Sequence, residues 1–141
     1  MNNIKEILIH KINNSDWWHV TPRDPDAYQK RGKFLASTFL RAEFYGRPND
    51  QAEKVKIQNP VFGFSEIEIL KQLFGKLLGK SMMQTILDED SYESRIDFDA
   101  QMYRRAKELG YDAIVLMAPS GKVALQRGRK PNAIELNIFN I

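Results

Sequence analysis

A glutamate set among apolar residues is the first chemical signal in this 141-residue chain, Glu135 in Ile134-Glu135-Leu136-Asn137-Ile138-Phe139. A carboxylate in such a setting loses solvation without return unless it is paired, so its presence there invites explanation. A desolvated carboxylate facing a cleft can stabilise developing positive charge, or orient and deprotonate a nucleophile. Upstream, His19 stands between Trp18 and Val20 with Thr21 behind it, and two rings, Phe34 and Tyr45, flank Ser37 and Thr38. Each of these also has a plainer reading. Glu135 could face solvent on an edge strand, His19 could be a hydrogen-bonded core histidine, and the two rings could be core aromatics. Ser37 and Thr38 could simply cap the helix that follows them.

Composition removes several other chemistries. The chain has no cysteine, which excludes disulfides, thiolate zinc sites and cysteine nucleophiles. Two histidines, His10 and His19, are too few for a histidine-rich metal site. Hydrophobic content of 43% and charged content of 28% are ordinary for a soluble globular domain, and the length suits a single one. No apolar run approaches the roughly 20 residues that span a bilayer. The first residues, MNNIKEILIHKINN, carry a glutamate inside the apolar stretch and no small-residue cleavage site, unlike a secretory signal. The expectation is a cytoplasmic protein with no membrane partner. Net charge is a mild +3, with basic clusters at Lys30-Arg31-Gly32-Lys33 and Arg127-Gly128-Arg129-Lys130. These are either solvated loop charge or a surface for a dinucleotide, a nucleic acid or an acidic protein.

The elements that must position these residues follow from periodicity and punctuation. Residues 3–13 carry apolar positions at helical spacing, residues 16–21 read as an aromatic, β-branched strand stopped by Pro22, and residues 22–29 as a loop with a helical turn. Residues 33–37 form a strand and residues 38–45 a helix that Thr38 can cap. Residues 53–58 alternate polar and apolar, which predicts a half-buried strand ended by Pro60. Ser65-Glu66-Ile67-Glu68 has the form of a capping box and opens a helix through Leu78, with a further helical piece over residues 82–87. Residues 90–109 form the longest helix, closed by Gly110. A strand over 112–117, a turn, a return strand over 123–126, a basic loop over 127–132 and a last strand over 133–139 complete the chain. Strands at both ends flank a helical middle, so the class is α+β with one mixed or antiparallel sheet system.

On these elements sit motifs in a recognisable order. His19-Val20-Thr21 is followed by Gly32-Lys33-Phe34-Leu35-Ala36-Ser37, with Tyr45 eleven residues after Phe34, then Leu109-Gly110-Tyr111-Asp112-Ala113-Ile114, and last Glu135-Leu136-Asn137-Ile138-Phe139. From Trp18 to Phe139 this order resembles the ADP-ribosyltransferase superfamily, in its diphtheria-toxin and poly(ADP-ribose)-polymerase branch. The family's pattern has His-Gly-Ser/Thr, Gly-x-Tyr-x-x-Ser and Glu-Tyr-x-x-Phe/Tyr. Val20, Phe34 and Leu136 therefore depart from it.

The resemblance implies a split pair of small sheets with NAD bound between them as substrate. It implies that His19 orients the NAD ribose, with Thr21 beside it, and that Phe34 and Tyr45 stack nicotinamide. Ser37 would support Glu135, and Glu135 would stabilise the oxocarbenium-like transition state and position the nucleophile. Nicotinamide would leave and ADP-ribose would pass to an acceptor, a protein, a nucleic acid or water, with the Arg127-Gly128-Arg129-Lys130 loop a candidate to meet it. A compact domain of this kind further suggests a bacterial or phage effector or toxin. Two alternatives stay open. Phe34 without a hydroxyl and Val20 in place of glycine suit a binding module that keeps the fold without the activity, and the basic loops suit a nucleic-acid-binding α+β domain.

Overall fold

In the computed structural model, which describes residues 3–140, five strands form one mixed sheet. They are β1 (Trp18–His19), β2 (Lys33–Ala36), β3 (Pro60–Gly63), β4 (Ala113–Met117) and β5 (Ile134–Ile138), in the order β1-β2-β5-β4-β3. Neighbours are antiparallel except β3 and β4, which are parallel. A parallel pair needs a long crossover. Here α4 (Glu66–Phe74), α5 (Lys76–Glu89) and α6 (Tyr92–Glu108) supply it. The single α+β domain expected from the sequence is present, and its strands run as one continuous sheet rather than two.

Each face of the sheet carries its own core. On one face α1 (Ile4–Asn13) and α7 (Ser120–Gln126) bury Leu8, Ile12 and Leu125 against Leu35, Val115 and Leu136. On the other, α4, α5 and α6 pack Ile69, Leu73, Met82, Phe98 and Met102 against Val61 and Ile114. These helices cover β3 and β4. The same face of β2 and β5 is left to a cleft, bordered by α2 (Ala27–Arg31), by α3 (Phe39–Ala42) with the 3-10 turn Glu43–Tyr45, and by the first half of α6.

Local signals account for most boundaries. Thr38 Oγ1 accepts from Arg41 N–H at 3.1 Å and caps α3, and Ser91 caps α6 through Ser94 N–H. Ser65 caps α4 through Glu68 N–H, while Glu68 reaches back to Phe64 N–H, one residue beyond the capping-box position.

Three expectations are corrected. Residues 53–58 form no strand: only Glu53 bridges, to Trp17. Val55 and Ile57 are buried as the alternation implies, but side chains replace the ladder. Asn13 bonds both the N–H and the carbonyl of Ile57, and the Asp112 carboxylate accepts from Gln58 and Asn59 N–H. Pro60 then begins a strand rather than ending one, a first position where no N–H is needed. The helix expected to run to Leu78 breaks at Gly75, which takes φ +90°. The return strand over 123–126 is instead part of α7, whose Gly121 lies close against Met117 and Pro131.

Candidate functional site

The antiparallel register of β2 and β5 sets Glu135 opposite Ala36 and Asn137 opposite Phe34. On its other edge β5 pairs Glu135 with Leu116 of β4, and β1 places Trp18 across from Ala36. Side chains alternate across a sheet, so Trp18, Ala36, Glu135 and Leu116 make one row on the face left open by the helices. Above that row lies a cleft of about 1230 Å3. Its lining includes His19, Phe34, Tyr45 and Glu135, four of the six residues singled out from sequence. Thr21 and Ser37 are not among its walls. Thr21 is exposed and its hydroxyl donates to Asn49 at 3.2 Å, while Ser37 donates to the Asn132 carbonyl at 3.3 Å rather than supporting Glu135.

His19 is 4% exposed, and both ring nitrogens are engaged inside the protein. Nδ1 lies 2.7 Å from the Phe34 carbonyl and Nε2 lies 2.8 Å from the Tyr28 hydroxyl. Burial holds its pKa below the usual histidine value, against the carbonyl bond that favours the charged ring. The ring is therefore neutral at physiological pH. Since a carbonyl can only accept, Nδ1 carries the proton and Nε2 accepts from Tyr28.

Glu135 is partly buried and, among the described residues, has no ion-pair partner. The nearby cation is already engaged. Arg95 on α6 forks onto both oxygens of Glu66 at the start of α4, and also donates to Asp99 at 3.0 Å. Burial, then the Asp99 and Glu66 charges with Arg95 opposing, push the Glu135 carboxyl up to about 7. Burial likewise raises Asp99 in spite of its arginine partner. Tyr45 is 65% exposed. Its phenol is nevertheless raised, first by burial and then by the Glu135 charge.

Beneath Glu135 a hollow of about 30 Å3 is bounded by Glu66, Arg95, Asp99 and Asn137. Asn137 is buried, donates to the Arg31 carbonyl at 2.9 Å and leaves its Oδ1 without a partner. Gly32, the first residue of the second motif, has φ +81°, and a Cβ there would stand 2.1 Å from that Oδ1. Its place is thus a matter of backbone geometry and close approach.

Arg23 and Arg31 also line the cleft, and the Arg31 charge reaches Asp99, whose carboxyl it helps to hold down. The basic loop after α7 does not border the cleft, and Lys130 lies over the Trp17 ring at 4.7 Å. Sequence reasoning missed Tyr28, Arg95 and Asp99 as site residues and took Glu66 only as part of a capping box. No group of three or more His, Asp or Glu among the described residues is placed to hold a metal ion, and none of the helices described is long and apolar enough to cross a membrane. Comparisons with protein-family models, with curated proteins and with solved structures find no match to the chain.

Proposed function

We propose that this protein cleaves the bond between nicotinamide and ribose in NAD+ and transfers ADP-ribose to an acceptor, a protein, a nucleic acid or water. The observation that carries the reading is the Glu135 carboxyl, unpaired and poised near neutrality in the same cleft as His19, Phe34 and Tyr45. The cleft exceeds the roughly 300–1,000 Å3 typical of small-ligand pockets, enough for a dinucleotide. Arg23 and Arg31 in its lining offer cations for a pyrophosphate.

In the proposed reaction the C1′–N bond breaks with both electrons leaving on nicotinamide, which departs as a neutral ring. Positive charge develops on the ribose, and ionised Glu135 stabilises it. The nucleophile then bonds to C1′ and yields its proton to the carboxylate. Phe34 and Tyr45 hold the ring by their faces.

Release of nicotinamide from NAD+ by the purified protein tests this directly, with cell lysate added as a source of acceptors. Glu135→Gln should lower the rate at least about 100-fold, the scale of losing an electrostatic catalytic group. An unchanged rate would remove Glu135 from the mechanism. A second reading is a dinucleotide-binding module without turnover. It is favoured by the engagement of both His19 nitrogens inside the protein. Tight NAD+ binding with no nicotinamide release would establish it.

A further inference from the structure

We infer that Tyr28, rather than His19, presents the hydrogen-bonding atom that the ligand meets, with His19 as the positioning residue behind it. The inference rests on the NAD+ reading and departs from the role that the resemblance implies for the histidine. His19 is 4% exposed and both of its nitrogens are taken, whereas Tyr28 is only partly buried and borders the cleft. The polar chain runs from the Phe34 carbonyl through the imidazole to the Tyr28 phenol, over distances of 2.7 and 2.8 Å.

The chain has a direction. The Phe34 carbonyl can only accept, so Nδ1 donates to it and Nε2 of the neutral ring can only accept. The Tyr28 hydroxyl must then donate its proton inward to Nε2. What remains on the phenol oxygen is acceptor capacity. That oxygen selects a ligand group bearing an O–H or N–H donor, which NAD+ carries in its ribose hydroxyls and its carboxamide. Bonds in such a chain polarise one another, so a ligand donor on the phenol strengthens the bond to Nε2 and is felt at the buried histidine. β2 supplies the carbonyl, β1 the imidazole and α2 the phenol, which fixes the oxygen by three elements.

The test compares the parent protein with Tyr28→Phe, which keeps the ring and removes only the hydroxyl. Nicotinamide release is measured against NAD+ concentration, and the His19 ring nitrogens are followed by 15N NMR with and without NAD+. The expected result is a KM about tenfold higher, the scale of one lost hydrogen bond, with kcat little changed. Saturating NAD+ should also shift the Nε2 resonance of the parent and not that of the variant. Binding of ADP-ribose, which lacks the carboxamide, locates the donor. An affinity loss retained with ADP-ribose assigns it to a ribose hydroxyl, and a loss confined to NAD+ assigns it to the carboxamide.

A parent that turns over NAD+ beside a variant with the same KM overturns the role of Tyr28 and leaves the NAD+ reading standing. A proton found on Nε2 in the parent also overturns the role of Tyr28, whatever the variant does. A parent that neither binds nor cleaves NAD+ overturns both.

Discussion

Deprotonating Glu135 is unfavourable in the fold and necessary for the proposed chemistry, so one titration drives stability and rate in opposite directions. The carboxyl is raised from 4.5 to about 7, chiefly by burial. A group raised in this way contributes stability that is fully present below its unfolded value and is lost as pH rises through its folded value. At about 1.4 kcal/mol per tenfold change, ionising Glu135 costs up to about 3 kcal/mol. Glu135→Gln should therefore match the parent in melting temperature near pH 4.5 and exceed it by several degrees at pH 8. Thermal denaturation of the two proteins across that range reads the difference. In the parent, nicotinamide release should climb with pH through about 7, because the anion is the active form. A rate that falls over the same interval would assign Glu135 the opposite role, that of a proton donor.

At the scale of elements, the tightest junction is the turn from α2 into β2, where Gly32 brings the backbone against Asn137 of β5. Gly32→Ala would place a methyl 2.1 Å from Asn137 Oδ1 at φ +81°. Strain at such a position and displacement of a buried amide together should remove about 2–4 kcal/mol. A urea titration measures this, and a loss under about 0.5 kcal/mol would mean that the turn relaxes freely. This glycine was legible in the sequence as part of a motif, but its reason was not, since Asn137 lies over a hundred residues away. Elements built on local signals, such as α1, α3 with its Thr38 cap, β2, β4, α6 and β5, were legible for the converse reason. Residues 53–58 misled because alternation reports burial and not pairing. Val55 and Ile57 are indeed buried, yet Asn13 and Asp112 satisfy the backbone that a partner strand would have taken. The apolar run in α7 was too short for periodicity to separate helix from strand. In the cleft, His19, Phe34, Tyr45 and Glu135 were legible by type and order, whereas Tyr28 stands in a segment that reads as a loop and Arg95 on a helix whose polar face carries no distinguishing period.

Across the whole molecule, the two sides of the sheet are finished differently, and the cleft exists because of that difference. One face is closed by α1 and α7 over a continuous core, while the other is covered over β3 and β4 and open over β2 and β5. Arg95 ties α6 to the start of α4 at this boundary, and it is the cation among Glu66, Asp99 and Glu135. Glu66 and Asp99 are mostly buried, with side-chain exposures of 16% and 15%. Removing one partner of such a cluster is more damaging than the net worth of the pair, because the remaining charges stay desolvated. Arg95→Met keeps much of the aliphatic stem and deletes the charge, and it should destabilise the protein by about 2–4 kcal/mol at pH 8. Without their cation the Glu135 and Asp99 carboxyls, both already raised by burial, rise further above their unfolded values, so the sign is fixed. The loss grows as pH rises through those values and shrinks toward pH 5, where protons take the place of the guanidinium. Adding Glu66→Gln and Asp99→Asn to Arg95→Met should recover most of the loss at pH 8 and little at pH 5. Urea midpoints at the two pH values distinguish the accounts. A loss equal at both would mean that Arg95 braces α6 by the packing of its stem rather than by charge.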